Sequence, residues 1–276
     1  MIDPATSRVL ITGAAGAIGS ALREGLRSRY RILRLTDLNP VTDLANNEEF
    51  IQADVSDRGA LEKLMEGVDA LVHMTGAPAE HDLETLFRVN NRGLYDVLET
   101  ARLAGVKRIV YASSNHAFGC YPIEVPVSPA MQARPDSMYG VFKVLGEAML
   151  QYYQDRHGIA SVSLRIGTYR PLPIDQRSLA TWLSPRDIVQ LVDLSLRHPN
   201  PGALVVNGYS GNTRIKTQDP NWATLGYVPL DNAEEHIPML RGMGVDIDGP
   251  WEYRAHGGSF AVQPEKPPGV SGSSPR

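Results

Sequence analysis

"RVLITGAAGAIGSALREGL", residues 8–26, decides the fold. Arg8 to Thr12 have the character of a buried strand. The chain then enters a loop carrying Gly13, Gly16 and Gly19 and takes up a helical period, with Ile18, Leu22 and Leu26 on one face of a helix over Ala17–Arg29. Three glycines at this junction serve a tight turn, close approach of backbone to a pyrophosphate, and close packing of helix on strand. The helix N-terminus, at Ala17 and Ile18, then offers free N–H groups to phosphate. A plain tight turn between strand and helix is the alternative.

Asp37 weighs against that alternative. It ends the next strand, 18 residues after Gly19. An acidic side chain there accepts hydrogen bonds from adenosine ribose hydroxyls and repels a 2′-phosphate, so NAD is expected rather than NADP.

Outward from this stretch, short apolar runs alternate with helix-period segments. Strands are expected at 31–37, 49–55, 68–76, 107–114 and 160–167, and helices at 62–67, 84–104 and 137–156. This alternation predicts an α/β fold, a Rossmann-type doubly wound parallel sheet with right-handed crossovers. Past residue 167 the pattern loosens. "TYRPLPIDQRSLATWLS" has loop chemistry; 184–198 reads as a helix with Ser184 as N-cap, Pro185 at N1 and Asp187 in the first turn; 202–210 reads as a strand. The expected organisation is an NAD-binding core over 1–167, a small C-terminal substrate-binding cap over 168–262 interleaved with it, and a disordered tail over 263–276, rich in Pro, Gly and Ser.

The bulk properties agree with an enzyme of one large domain. The chain has 276 residues, 42% hydrophobic, and a net charge of −4. Nothing in this balance suggests nucleic acid or an anionic membrane as partner. No apolar run approaches the roughly 18 residues of a membrane span. The one cysteine, Cys120, excludes an internal disulfide and fits a reducing, cytoplasmic setting. No metal site is expected. A homo-oligomer is.

"YGVFK" places Tyr139 and Lys143 at i, i+4 on one helix face. An ammonium beside a phenol favours the phenolate, so the tyrosine can serve as a base below its ordinary pKa of about 10. Alone the pair reads equally as surface residues. With the glycine loop upstream and "YASSNHAFG" (111–119) ending the fifth strand, it reads as chemistry: Ser113, Ser114, Asn115 and His116 crowd four polar side chains at the carboxyl edge of the sheet, where such folds bind ligands.

The G-x-x-G-x-x-G spacing at 13–19 and these motifs resemble the extended short-chain dehydrogenases/reductases. "SSNH", "ARPDSMYGVFK" followed by "GE", "LRIGTYRP" and "LATWLSPRD" together resemble the uronate dehydrogenases, over roughly residues 8–262. The resemblance implies NAD-dependent oxidation of a free hexuronic acid (galacturonate or glucuronate) at C1 to the aldarolactone. It implies a catalytic triad of Ser114, Tyr139 and Lys143, with Ser113 structural. For the cofactor it adds Asp54 and Val55 beside adenine, Met74, Thr75 and Gly76 lining the site, and Asn90 and Ile166. For the substrate it implies Asn115 and His116 on sugar hydroxyls, Thr168 in place of a family serine, and Arg177 on the carboxylate. Arg170 and Arg186 are also candidates by residue type; the motif match selects Arg177. Pro78 is a departure, standing where the family has a serine that contacts substrate.

Two other readings compete. One is a different sugar C1 dehydrogenase or a nucleotide-sugar epimerase/dehydratase of the same fold, the latter disfavoured by the roughly 95 residues between 167 and the tail. The other is a non-catalytic NAD-sensing protein, which would have no use for a tyrosine base.

Overall fold

The computed structural model describes residues 1–78 and 80–262; the expected tail, 263–276, lies outside them. The chain opens with β1 (Arg8–Thr12), α1 (Ala17–Leu26), β2 (Ile32–Thr36), β3 (Glu48–Phe50), α2 (Arg58–Met65) and β4 (Ala70–His73). A long helix follows in three parts: α3 (Leu83–Leu86), a π-helical stretch (Phe87–Gly93) and α4 (Leu94–Leu103). Next come β5 (Arg108–Ser114), α5 (Met138–His157) and β6 (Ala160–Ile166). The last third holds β7 (Thr168–Tyr169), α6 (Ser178–Thr181), β8 (Trp182–Leu183), α7 (Pro185–Arg197), β9 (Ala203–Gly208), α8 (Asn221–Leu225) and α9 (Ile237–Gly242).

Seven strands form one sheet in the order β3-β2-β1-β4-β5-β6-β9, every pair parallel. Its strands are apolar on both faces, as a sheet covered on both sides requires. Alternation along β1 shows how the two cores divide. Val9 and Ile11 face one core with Leu22 and Leu26 of α1 and Ile188, Leu191 and Val192 of α7. Leu10 faces the other with Leu61, Leu64 and Met65 of α2, Val97 and Leu98 of α4, and Leu150 of α5. Each such side chain contributes about 1.5–3 kcal/mol on full burial. Strand order reverses between β1 and β4, so the crevice for a ligand opens there, at the carboxyl ends.

The last third is woven into this sheet. β9 pairs with β6 from Ser161↔Ala203 to Ile166↔Gly208. Ser184 caps α7 as expected, accepting from Asp187 N at 3.0 Å. The stretch 168–184, expected to be loop, instead carries α6 and the short parallel pair β7–β8. Trp182 there anchors a small cluster with Leu179, Ala233, Leu240 and Ile247. The third strand stops at Phe50, short of the expected Val55: Leu35 on β2 accepts from Ile51 N, and Asp37 then accepts from Ala53 N as the chain peels off. The helix expected at 84–104 is continuous in path but π-wound through its middle.

The segment 254–257 returns to β5's end of the molecule. Ile123 N donates to Arg254 O, His256 N to Tyr121 O and Gly257 N to Gly119 O, at 2.9, 3.0 and 2.9 Å. No helix among the described residues is long and apolar enough to cross a membrane.

Candidate active site

The glycine loop is built for close backbone packing. Gly13 has φ +71°, and a Cβ there would lie 3.1 Å from the backbone of Met74 and Thr75. At Gly19 a Cβ would lie 2.1 Å from Gly13 O, so only glycine lets α1 sit this close to the turn. No side chain caps the N-terminus of α1 at Gly16, which leaves first-turn N–H groups at Ala17 and Ile18 for an anion. Asp37 turns back to this loop: Oδ2 accepts from Ala15 N at 3.0 Å and Oδ1 from Asn39 N at 2.9 Å. The same carboxylate therefore ties the end of β2 to the glycine loop. These features fit a dinucleotide.

The remaining expected cofactor residues lie along the same carboxyl edge. Asp54 is exposed past β3, its Oδ1 taken by Ser56 N, while Val55 turns into the core. Met74, Thr75 and Gly76 follow β4, and Ile166 is the last residue of β6, in register with Ser114. Asn90 lies in the π-helical stretch. Its Oδ1 accepts from Ala77 N at 2.8 Å and its Nδ2 donates to Ala77 O at 3.1 Å, so it pins the loop after β4. Pro78 is exposed on that loop.

Ser114, Tyr139 and Lys143 come together where β5 ends against α5. Ser114 is buried and caps the short 3-10 turn Asn115–Phe118, its Oγ accepting from His116 N at 3.2 Å. Lys143 is 5% exposed; its Nζ donates to Ala112 O at 2.7 Å and lies 5.4 Å from the centre of the Tyr139 ring. Burial pulls this lysine down to about 8, opposed by the Glu147 carboxylate. Burial likewise pushes the Tyr139 phenol up to about 12, with the Ser114 hydroxyl acting the other way. The expectation that the neighbouring ammonium favours the phenolate meets a larger opposing effect: at this separation the ammonium does not offset desolvation of the ring. His73, hydrogen-bonded through Nδ1 to Thr12 Oγ1 at 2.9 Å, is held down to about 3 by burial and by Lys143 and stays neutral.

Ser113 points away from this group and donates to Glu147 Oε1 at 2.5 Å. Asn115 is 2% exposed, and its Nδ2 has no hydrogen-bond partner among the described residues, a cost that a bound acceptor would relieve. His116 stacks on Phe260 with centroids 4.1 Å apart and meets the edge of Tyr139 at 5.7 Å.

Arg177 begins α6. Its Nη1 donates to Thr168 Oγ1 at 3.1 Å, while Nε and Nη2 donate to His256 O at 3.3 and 3.0 Å. A guanidinium has five N–H groups. Three are committed here, leaving one on each terminal nitrogen. Thr168 Oγ1 is also 2.8 Å from Thr181 Oγ1. Arg186 is committed to Asp231 instead, and Arg170 is exposed.

Sequence reading did not single out four residues at this site. Asp136 bonds His116; Phe260 stacks on it; Glu147 lies one turn beyond Lys143; Glu80 Oε2 accepts from Tyr139 N at 2.9 Å. Only Glu147 carried a local signal, four residues after Lys143. The others depend on contacts across 20 to 144 residues.

Residues 9–169 match the NAD dependent epimerase/dehydratase family. Over 257 residues the chain is 40% identical to a uronate dehydrogenase of Pseudomonas putida, covering 93% of this chain and 96% of that one. It is 41% identical to a uronate dehydrogenase of Agrobacterium fabrum over 82% of this chain and 86% of that one. A crystal structure of a mutant uronate dehydrogenase from Agrobacterium tumefaciens, complexed with NAD, superposes with a TM-score of 0.87 at 37% identity, covering 94% of this chain and 98% of that one. The glycine loop, the strand-end serine and the tyrosine–lysine pair thus lie in a chain that belongs to the NAD dependent epimerase/dehydratase family and is about 40% identical to uronate dehydrogenases over most of its length.

Proposed function

We propose that the protein is an NAD-dependent uronate dehydrogenase, oxidising galacturonate or glucuronate at C1 to the aldarolactone. The observation that carries this reading is the placement of Ser114, Tyr139 and Lys143 at one sheet edge, beside a buried Asn115 amide that lacks an acceptor. NAD, held by Gly13, Gly16, Ala17, Ile18, Gly19, Asp37, Asp54, Val55, Met74, Thr75, Gly76, Asn90 and Ile166, supplies a hydride acceptor. Tyr139 takes the proton of the anomeric hydroxyl, which Ser114 orients. Lys143 holds positive charge against the developing phenolate. Asn115, His116 and Thr168 hold ring hydroxyls, and the two free Arg177 N–H groups take the carboxylate end-on. In this reading residues 1–167 carry the cofactor, 168–262 cap the substrate, and Pro78 borders the sugar without a hydroxyl to offer.

We place the enzyme in the cytoplasm, where a lone thiol stays reduced, and as a homo-oligomer. Phe87, Tyr95, Val141, Leu145 and Tyr152 are exposed along the long helix and α5 and would be covered by a second copy.

The test is NADH formation with galacturonate and glucuronate, with galactose and glucose, and with UDP-sugars. Turnover confined to the free acids supports the reading. Preference for neutral aldoses would make it a different sugar C1 dehydrogenase. Turnover of UDP-sugars would make it an epimerase/dehydratase, and NAD binding without turnover a sensor.

A further inference from the structure

Asp136 lies three residues before Tyr139, ahead of the Ser137 N-cap of α5. Its carboxylate side chain has no exposed surface. Oδ2 is 2.8 Å and Oδ1 3.1 Å from His116 Nδ1, and Ser137 Oγ donates to Oδ1 at 2.8 Å. Among the described residues no lysine or arginine pairs with it. A buried carboxylate in that state is tolerated only when hydrogen bonds satisfy it, so a proton must lie on Nδ1 of His116.

The surroundings fix the carboxylate in place. A Cβ on Gly119 would come within 1.7 Å of Oδ2, and one on Gly257 within 1.6 Å. Two stretches of backbone, joined by the Gly257–Gly119 hydrogen bond, thus pack close against the group. Phe260 then covers one face of the imidazole, and Tyr139 meets its edge. With Nδ1 committed, the other ring nitrogen is the free one: Nε2 makes no hydrogen bond among the described residues.

We propose that Asp136 is a positioning residue for the reaction. It acts through His116, holding the proton on Nδ1 and presenting Nε2 as acceptor to a sugar hydroxyl beside the Tyr139 base. This rests on the uronate reading of the site. A carboxylate–histidine pair fixes both ring orientation and tautomer. Among the described residues no other group bonds Nδ1.

The test is a cycle of variants in the full chain. Asp136→Asn keeps shape and removes charge, and its amide can offer Nδ1 a donor instead of an acceptor. It should lower kcat/KM for the uronic acid by about 10²-fold, with NAD affinity changed less than twofold. His116→Ala should cost a similar factor. The double variant should lose no more than His116→Ala alone, because both act through one ring. Multiplying losses, or an Asp136→Asn variant within threefold of wild type, would overturn the proposal. Nitrogen NMR of wild-type His116 gives a second readout that needs no variant to fold and no turnover. A protonated Nδ1 with an unprotonated Nε2 is expected; a bare Nδ1, or a proton on both nitrogens, overturns the assignment. If the wild type turns over no uronic acid, the substrate reading fails, while the NMR result still decides the Asp136–His116 pairing.

Discussion

Arg165 donates to the Glu147 carboxylate from Nε at 2.9 Å and from Nη2 at 2.8 Å, one turn beyond Lys143 on α5. Both side chains are more than nine-tenths buried. The pair ties α5, which carries Tyr139 and Lys143, to β6, and Ser113 adds a bond from β5. Removing one partner strands the other charge. Glu147→Ala should therefore destabilise the protein by about 3–5 kcal/mol, measured by denaturant unfolding. A change below about 1 kcal/mol would show that the pair does not anchor the helix.

Tyr139→Phe keeps the ring in its packing with Phe260 and His116 and removes the ionisable oxygen. Turnover should fall by about 10²-fold or more, with little change in NAD affinity. Near-normal turnover would remove Tyr139 from the role of base.

The rate should depend on pH in a specified way. The active form needs Tyr139 deprotonated and Lys143 protonated. With the phenol at about 12 and the lysine at about 8, the group needed protonated titrates below the group needed deprotonated, the reverse of the usual order. Below about pH 8 the lysine stays charged and the phenolate fraction grows with pH, so kcat/KM should rise about tenfold per pH unit. Above about pH 8, loss of the ammonium cancels further gain of phenolate, and the profile should level off. A decline that begins below pH 8 would contradict this order of titration.

NAD should be strongly preferred over NADP, because a 2′-phosphate would approach the Asp37 carboxylate, and among the described residues no arginine pairs with that carboxylate. The ratio of kcat/KM values measures this. Asp37→Asn should narrow the ratio by weakening NAD and relieving NADP. Equal efficiencies in the wild type would show that Asp37 serves only its turn.

Arg177→Ala should reduce kcat/KM for a uronic acid by about 2–5 kcal/mol in transition-state terms, and that for the neutral aldose far less. Both substrates should be measured on both proteins. Equal loss on acid and neutral sugar would assign Arg177 to bracing His256 and Thr168, which it also contacts.

The nucleotide half was legible because its rules are local. Glycine spacing, the short apolar run of β1 and the i, i+4 pair on α5 each fall within a few residues, and the structure keeps all three. The long helix was legible as a helix but not as π-wound, since apolar spacing does not report which carbonyl each N–H selects. The third strand was over-read because Ile51, Ala53 and Val55 alternate like a strand and pack against the core that Leu10 faces, although the ladder of β3 ends at Phe50. Asp136 stood in the sequence only as part of the ARPDSMYGVFK motif: its partner His116 is 20 residues away, and burial of a carboxylate leaves no mark in sequence. Phe260 escaped for the same reason, coming from the far end of the described chain to cover His116.

The π-helical stretch Phe87–Gly93 carries a constraint on insertions and deletions. A π turn holds an extra residue that an α-helix would not accommodate. Deleting one residue there would restore regular winding and improve the helix taken alone. It would also turn whatever stands at position 90 by about 100° about the axis. Asn90 would leave Ala77, and the loop after β4 would lose both of its clamping bonds. In a length-varied library, variants shortened within this stretch should fold readily and lose cofactor affinity. Those shortened at the exposed Gly105, after α4, should not.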